Sequence, residues 1–370
     1  MMKVLIFSTA YFPFVGGAEV AVEELVDRLG NEIEFDLITA RMGKDLPKTE
    51  RVGKVNVYRI GIGIQLIDKL LVPFLGAVKA LSLQKKNSYA AYWCIMVSYA
   101  SGAAFIANWF QKRVPIVLTL QEGDSEKYLK WKWLGLIDLS WRLALNRTHH
   151  LTAISTYLLE RARKLGFRGK ATLVPNGVDL KRFSSPSPHV FDPSHTTLIT
   201  TSRLVRKNGV GDVIEAIKLL PESITFKILG EGPLDSGLKA QTKRLGLEHR
   251  VQFIGTISQT ELPKYLHEAD IFIRPSLSEG QGISFIEAMA AGLPVIATPV
   301  GGIVDFLHDG ETGVFCQSKN PQSIVKAVHR LATDDTLRKK ITENAQKLVK
   351  EKYNWDLIAE EMKSKVFQSL

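Results

Sequence analysis

The chain has 370 residues, of which 45% are hydrophobic, and it carries a formal net charge of +10 at pH 7. This length exceeds that of one ordinary domain, so we expect two domains, each with a sizeable apolar core. The two cysteines, Cys94 and Cys316, lie in opposite halves of the sequence. We interpret both as packing residues of a protein in a reducing cytosol, which excludes a disulfide framework and a cysteine–histidine zinc site.

The positive charge is concentrated in the first half of the chain. Residues 1–180 contain 24 Lys and Arg against 16 Asp and Glu, a net of +8, whereas residues 181–370 contain 24 against 22, a net of +2. Such an excess suits an anionic membrane surface, a phosphorylated acceptor or nucleic acid. Simple solubility explains the same excess equally well, so charge alone does not choose between these classes.

The N-terminal pattern predicts the start of a doubly wound α/β domain. A buried strand from Lys3 runs into a turn at 13–18, and an amphipathic helix follows that ends at Gly30. Gly16 and Gly17 are candidates for a nest of backbone amides that binds an anion, with a plain tight turn as the alternative. No Gly-x-Gly-x-x-Gly fingerprint follows the strand, which disfavours a nicotinamide enzyme.

Three further segments of the first half are rich in apolar residues. Residues 62–84 read as a helical segment broken by Pro73. Residues 88–110 contain no charge, and we interpret them as a buried strand followed by a helix, with a transmembrane helix as the alternative. In 127–142 lysines interleave with tryptophans, which suits either an anionic membrane interface or a core-packing helix with outward lysines. No nucleic-acid motif accompanies these residues, so nucleic acid is not a predicted partner.

Polar and glycine residues follow the strands of the second half, at the place where ligands bind in open parallel sheets. Arg203 and Lys207 lie in the loop after one strand and suit a diphosphate, Arg by its planar fork and Lys as a point charge. Two solvated loop charges are the alternative interpretation. Gly230 and Gly232 form a glycine turn after the next strand, and Thr256 follows the strand after that.

The stretch 275–302 is the most informative part of the sequence and reads PSLSEGQGISFIEAMAAGLPVIATPVGG. It predicts a turn after an apolar strand, then a helix that opens near Ile283 and ends at Gly292, then a strand at 295–297. A strand, a glycine turn, a helix and a second strand make the parallel crossover unit.

Two carboxylates occupy fixed places in this unit, since Glu279 lies in the turn and Glu287 on the helix eight positions later. Gly280 and Gly282 allow backbone amides to approach a ligand closely. The start of the helix adds unpaired N–H groups and a positive dipole end, which favour a phosphate. The amides concerned are those of Gln281, Gly282 and Ile283.

The pattern P-S-x-x-E-G-x-G-x-x-x-x-E-A-M-A-x-G-x-P-V-I-A resembles the donor-site signature of the retaining glycosyltransferases of family 4, which have the GT-B fold. The resemblance covers nearly the whole chain and is strongest over 197–316. It implies two Rossmann-like doubly wound domains that face across a cleft. It also implies retaining, metal-independent transfer of a sugar from a nucleotide-sugar donor to a glycan or lipid-linked acceptor.

The resemblance implies a role for each candidate residue. Arg203 and Lys207 would stabilise charge on the leaving diphosphate, Glu279 would accept hydrogen bonds from donor-sugar hydroxyls, and Glu287 would bind the ribose hydroxyls. In many family members a histidine stands where this chain has Gln121, and a glutamine amide can bind a sugar hydroxyl but cannot shuttle a proton. The donor-binding candidates are Gly16, Gly17, Gln121, Gly230, Gly232, Thr256, Gly280, Gln281, Gly282, Ile283 and Glu287.

We therefore expect an acceptor-side domain at 1–183, a Ser- and Pro-rich linker at 184–195, a donor-binding domain at 196–353 and a helix at 354–370 that packs back on the first domain. The expected location is the cytoplasm, with the inner face of the cell membrane as a candidate surface, and no cofactor is expected. Three alternatives stay open: a sugar-nucleotide epimerase of the same fold, a non-catalytic nucleotide-sugar-binding protein, and a basic membrane- or nucleic-acid-binding protein.

Overall fold

The computed structural model describes residues 1–123, 136–184, 191–192 and 194–370. The chain divides into two compact units, one formed by Met1–Asn176 with Trp355–Leu370 and the other by Gly177–Asn354. Each unit is a Rossmann-like α/β fold with a parallel sheet, as the sequence predicts. The predicted linker, 184–195, falls largely outside the described residues.

The first unit is built on a sheet that has eight strands among the described residues, in the order β3-β4-β2-β1-β5-β6-β7-β8. All neighbouring strands run parallel except β3 and β4, which are antiparallel. Its elements are β1 (Met2–Phe7), α1 (Gly17–Leu29), β2 (Ile33–Ala40), β3 (Thr49–Val52), β4 (Val55–Ile60), α2 (Gln65–Asn87), β5 (Ala91–Ile95), α3 (Tyr99–Phe110), β6 (Ile116–Leu120), α4 (Leu136–Arg147), β7 (His150–Ala153), α5 (Thr156–Lys164) and β8 (Lys170–Leu173).

The second unit has a six-stranded sheet within the described residues, in the order β11-β10-β9-β12-β13-β14, with every pair parallel. Two of its connections contain 3₁₀ turns, at Arg206–Asn208 and Gly301–Asp305. Its elements are α6 (Leu180–Phe183), β9 (Thr196–Thr201), α7 (Val210–Ile217), β10 (Ile224–Leu229), α8 (Asp235–Arg244), β11 (Val251–Gly255), α9 (Leu262–His267), β12 (Ile271–Arg274), α10 (Ile283–Ala290), β13 (Val295–Ala297), β14 (Val314–Phe315), α11 (Pro321–Thr333) and α12 (Asp335–Lys352).

The central strands are continuous apolar runs because helices cover both faces of a parallel sheet. Every residue of β5, β6 and β12 is buried. In the second unit one apolar cluster contains Phe226 and Ile273, and another contains Phe272 and Phe285. Successive residues of a strand point to opposite faces, so Phe272 and Ile273 fall in different clusters.

The C-terminal segment belongs to the first unit. It consists of α13 (Trp355–Glu361), a π-helical turn at Met362–Val366 and a 3₁₀ turn at Phe367–Ser369. The Phe367 ring lies edge-on to Trp93, with ring centroids 5.5 Å apart, and Arg28 Nε lies 2.6 Å from Asp356 Oδ1. An aromatic contact and an ion pair therefore attach the end of the chain to β5 and α1.

The second unit begins earlier than the sequence pattern indicates. Residues 177–183 were assigned to the first domain, but they group with the second unit. The Val178 N–H donates to the Tyr353 carbonyl at 2.7 Å, and Phe183 is buried in the cluster that contains Phe272. These contacts hold the segment on the later half of the chain.

The uncharged stretch 88–110 forms a strand and then a helix, as predicted. The break expected at Pro73 was wrong, because α2 runs through it as one helix. Gly102 of α3 lies beside the proline, and a side-chain carbon there would be in ordinary contact with Pro73 Cβ at 3.4 Å. Among the described residues, no helix is both long enough and apolar enough to cross a membrane.

The start of α2 is held by Asp68, a fully buried carboxylate. It accepts backbone N–H groups of Met42 at 3.0 Å, Ile62 at 2.7 Å and Gly63 at 2.8 Å. Hydrogen bonds to an ionised acceptor are stronger than neutral ones, and a buried amide that loses its partner is costly. This carboxylate therefore fixes how the loop after β4 enters α2.

We expect Asp68→Ala to lower the free energy of unfolding by about 2–4 kcal/mol, because three backbone amides lose the buried carboxylate that accepts their hydrogen bonds. Thermal unfolding followed by circular dichroism would show a clearly lower midpoint. Asp45→Ala, which removes an exposed acid of the same unit, is the matched control and should leave the midpoint unchanged. Equal midpoints for the two variants would contradict this role for Asp68.

Candidate functional site

The loops at the carboxyl ends of four neighbouring strands of the second unit are joined to one another. The Leu277 N–H donates to the Lys207 carbonyl at 2.7 Å, which links the loop after β12 to the loop after β9. The Leu204 N–H donates to the Glu231 backbone carbonyl at 3.0 Å, and the Gly230 N–H donates to the Gly255 backbone carbonyl at 2.7 Å. The candidate residues of this unit therefore lie on one connected edge of the sheet.

The loop after β9 carries the two predicted cations. Arg203 is exposed, and Lys207 is half-buried within the 3₁₀ turn. Asn208 is buried, and its Nδ2 donates to the Arg203 carbonyl at 2.7 Å, which fixes the backbone between the two cations. A side chain at Gly230 would collide with the Ser202 carbonyl, and its φ of +118° favours glycine. The glycine turn therefore packs directly on this loop.

Arg274, the last residue of β12, was not among the predicted site residues, yet it is central to this edge. Its side chain is 6% exposed. Nη2 lies 2.8 Å from Glu279 Oε2, and Nη1 donates to Ser284 Oγ at 2.7 Å and to the Thr201 carbonyl at 3.2 Å. The guanidinium also lies 4.2 Å from the centroid of the Phe285 ring. One buried cation thus connects β9, the turn and α10.

The electrostatic surroundings of Arg274 involve both predicted carboxylates. Burial lowers the pKa of its guanidinium, while the negative charges of Glu279 and Glu287 oppose that shift. Glu279 is half-buried and Glu287 is buried on α10. The two acids that the sequence pattern places eight residues apart are therefore linked through a common cation.

The turn before α10 is shaped around this pair. Gly282 has φ +86°, and a side-chain carbon there would lie 2.8 Å from Arg274 Nη2 and 2.7 Å from Phe285 Cε2. The Gly280 N–H donates to Glu279 Oε1 at 3.1 Å. Gln281 is buried, whereas Ile283 is half-buried at the first helical position. The Glu279 carboxylate therefore contacts the amide of Gly280, which directly precedes the predicted amides of Gln281, Gly282 and Ile283.

An open pocket of about 600 Å³ adjoins the glycine turn. Lys239 Nζ lies 5.6 Å from the centroid of the Phe253 ring within the lining, and Thr256 is exposed next to it. The pocket lies between the ends of β10 and β11 and the start of α8. Its lining residues are Glu231, Gly232, Asp235, Lys239, Phe253, Ile254 and Gly255.

Gly16 and Gly17 stand at the amino end of α1, where the sequence suggests an anion nest. The buried carboxylate of Glu19 accepts backbone hydrogen bonds there from Gly16 and from its own amide. Burial raises the pKa of Glu19, and these hydrogen bonds oppose the shift. Part of the predicted nest is thus engaged by a carboxylate of the same chain.

Gln121 directly follows β6 and is held by a neighbour that the sequence did not single out. The Glu122 carboxylate accepts the N–H of Gln121 at 3.0 Å and the N–H of Val97 at 2.6 Å. Burial raises the pKa of Glu122, while these amides and the charge of Arg161 lower it. Asn176 Nδ2 donates to Gln121 Oε1 at 3.5 Å, so both ends of the glutamine have contacts.

Most of 127–142, the segment predicted to form either a membrane interface or a core-packing helix, lies outside the described residues. Trp141 is described, and it is buried in the core of the first unit with the Arg161 guanidinium 4.5 Å from its ring centroid. This tryptophan is therefore a packing residue.

Comparisons with known proteins identify the family. The model for "Glycosyltransferase Family 4" matches residues 15–182, and that for "Glycosyl transferases group 1" matches residues 182–348. An uncharacterised glycosyltransferase of Methanocaldococcus jannaschii is 36% identical over 97% of this chain and 96% of its own. The chain belongs to the family 4, group 1 glycosyltransferases.

Solved structures show the same fold at lower sequence identity. Sucrose-phosphate synthase from Thermosynechococcus elongatus has a TM-score of 0.86 and 19% identity, covering 100% of this chain and 99% of its own. The Anabaena HepE protein, in complex with UDP-glucose, has a TM-score of 0.82 and 22% identity, with 100% of both chains covered. The chain therefore has the GT-B fold.

We expect Arg274→Met to lower the free energy of unfolding by about 3 kcal/mol, because Glu279 loses a largely buried ion-pair partner. Arg330→Met is the matched control, since Arg330 forms an ion pair at 2.9 Å with Asp309 in which both side chains are exposed. Its removal should cost less than about 1 kcal/mol. Chemical denaturation measures the free energy of unfolding of both variants. A loss of stability no larger for Arg274→Met than for Arg330→Met would contradict the structural role given to Arg274.

Proposed function

We propose that the chain is a retaining glycosyltransferase that moves a sugar from a nucleotide-sugar donor to a glycan or lipid-linked acceptor. The observation that supports the proposal is the connected sheet edge: the loop that carries Arg203 and Lys207 is bonded to the loop after β12, and Glu279 of that loop pairs with Arg274. Cations and helix-start amides suit a diphosphate, and a held carboxylate suits sugar hydroxyls. The roles of Gly16, Gly17 and Gln121 in donor binding remain predictions from the resemblance.

Arg203 and Lys207 would act on the leaving group. The bond from the anomeric carbon to the diphosphate oxygen breaks, and negative charge builds on that oxygen. Fixed positive groups that meet this charge lower the barrier, which is the largest electrostatic demand of the step. In this proposal they supply the charge that a divalent metal supplies in other transferases.

Retention requires that the acceptor oxygen attacks from the face that the diphosphate leaves. The new bond forms between that oxygen and the anomeric carbon, and the acceptor proton passes to the departing phosphate oxygen. No protein nucleophile is needed for this route. Glu279, fixed by Arg274, would hold the donor sugar through its hydroxyls while this exchange occurs.

In this proposal the nucleoside part of the donor would bind along the same edge. Glu287 would bind the ribose hydroxyls. The pocket beside Gly232 and Gly255 offers the Phe253 ring and suits the nucleobase, with exposed Thr256 at its margin. The UDP-glucose in the Anabaena HepE structure supports a nucleoside diphosphate sugar as the donor class.

Thermal stabilisation by a panel of nucleotide-sugars tests donor binding. A donor present at 100 times its Kd should stabilise the protein by about 2.7 kcal/mol, because only the folded chain binds it. Proton NMR of the product formed with an acceptor should then show the anomeric configuration of the donor, with turnover persisting in EDTA.

Each other outcome points to a different class. An inverted product excludes retention. Conversion of the donor to its epimer without an acceptor would establish the epimerase alternative. Donor binding without sugar transfer to either a glycan or a lipid-linked acceptor would indicate a non-catalytic nucleotide-sugar-binding protein.

We expect Lys207→Ala to lower kcat by a factor of about 10²–10³, the scale of a lost charge-stabilising donor. Lys218→Ala is the matched control, because Lys218 is an exposed lysine just after α7 of the same unit. Steady-state transfer assays compare the two variants at saturating donor. Turnover near the wild-type value in Lys207→Ala would remove Lys207 from the mechanism.

A further inference from the structure

Helix α2 presents a row of large apolar side chains to solvent. Leu66, Leu70, Phe74 and Val78 are 69%, 54%, 65% and 66% exposed, and they follow one another every four residues. Side chains at this spacing share one face of a helix. We call this surface the α2 outer face; its members are Ile62, Ile64, Leu66, Ile67, Leu70, Phe74, Leu75 and Val78.

The opposite side of α2 already supplies the core of the first unit. Val72, Ala77 and Ala80 are buried in the main apolar cluster, and a side-chain carbon at Gly76 would lie 3.0 Å from Ala103 Cβ on α3. Helices at the surface of a globular domain normally turn polar residues outward. Within the part of the chain that the structure describes, the outer face is therefore apolar surface left exposed, and contiguous surface of this kind marks an interaction site.

The charges on α2 indicate which partner fits. Its single acid, Asp68, is fully buried and engaged by backbone amides. The other charged residues of the helix are lysines: Lys85 and Lys86 are exposed, Lys69 is half-buried, and Lys79 is half-buried with Nζ 4.4 Å from the Tyr58 ring centroid. The helix thus exposes large apolar groups and positive charge but no negative charge.

This combination suits an anionic lipid surface. An amphipathic helix that lies in a membrane interface inserts apolar side chains and sets lysines against anionic headgroups, and the two contributions together give stable attachment. A second copy of the chain fits less well, because the same face of a second copy offers no negative charge to the lysines of α2.

We propose that the α2 outer face docks the protein on an anionic lipid surface, with α2 lying along the interface. This goes beyond the proposed transfer reaction, because it assigns a surface of the first unit that takes no part in donor binding. It also differs from the expectation for 127–142, since the surface now assigned lies at 62–78.

Vesicle sedimentation with the full chain tests the proposal. Wild-type protein should co-sediment with vesicles of equal parts phosphatidylglycerol and phosphatidylcholine, and much less with phosphatidylcholine alone. Raising the salt concentration should weaken binding, because the lysine contribution is screened.

The variant Leu70→Gln/Phe74→Gln should bind the mixed vesicles at least about tenfold more weakly, since two inserted apolar groups are lost. The matched control is Leu219→Gln/Leu357→Gln, which alters two exposed leucines away from α2 and should bind like wild type. All four positions are exposed, so both double variants should fold with unchanged circular dichroism spectra.

Three results would overturn the proposal: no binding of wild-type protein to mixed vesicles, equal binding by both double variants, or equal binding to neutral and anionic vesicles. Self-association that Leu70→Gln/Phe74→Gln abolishes, without vesicle binding, would assign the face to a second copy instead. Thermal stabilisation by a nucleotide-sugar is measured on the same variant and should not change. A failure of the lipid proposal is thereby distinguished from a failure of the proposed function.

Discussion

Arg274 stands where β12 ends, and its guanidinium reaches the Thr201 carbonyl of β9, the Glu279 carboxylate of the turn and the Ser284 hydroxyl of α10. A deeply buried ion depends on its partners, and here Nη1 and Nη2 are paired whereas Nε has no hydrogen-bond partner among the described residues. The planar fork of arginine can serve several partners at once, which a lysine ammonium on a flexible stem does less well. The position of the Glu279 carboxylate therefore depends on Arg274 at the end of β12 as well as on the turn.

The same constraint explains the glycines of the edge. Gly282 cannot carry a side chain because the Phe285 ring and the Arg274 guanidinium occupy the space. Gly301 has φ +57°, and a side chain there would collide with the Glu279 carbonyl. The backbone is thus packed against both sides of the acid-bearing turn. Tight packing leaves few conformations, so charges on these loops are held before any ligand arrives.

Much of the fold followed from local pattern. The crossover unit at 271–297 could be predicted because apolar strands, a glycine turn and a capped helix each leave a signal within a few residues. Arg274 was not predicted as a site residue because a single arginine after Ile-Phe-Ile indicates only the end of a strand. Its partner carbonyl, that of Thr201, lies 73 positions away, so only the folded sheet brings the two together.

Helix α2 is a second place where the local sequence pattern was misleading, because part of its apolar surface is exposed to solvent. An apolar segment is expected to be buried, and the pattern of α2 does not show that one side of the helix is left outside. Pro73 suggested a break because a proline inside a helix removes a hydrogen bond and its ring meets the carbonyl four residues earlier. The helix nevertheless continues through it and buries Val72, Ala77 and Ala80 in the core of the first unit. Tertiary packing of this kind can offset the local cost.

The orientation of α2 is itself determined by its one acid. Three backbone amides around the entry loop converge on Asp68, so the first turn cannot rotate without breaking these bonds. Rotation that buried Leu66 and Leu70 would break the three hydrogen bonds to Asp68 and would also expose Val72, Ala77 and Ala80, which are buried in the core. The exposure of the α2 outer face is therefore maintained by the polar contacts of Asp68 together with the apolar inner face of the helix. The exposed α2 outer face is therefore built into the fold, which is consistent with the proposed docking on a lipid surface.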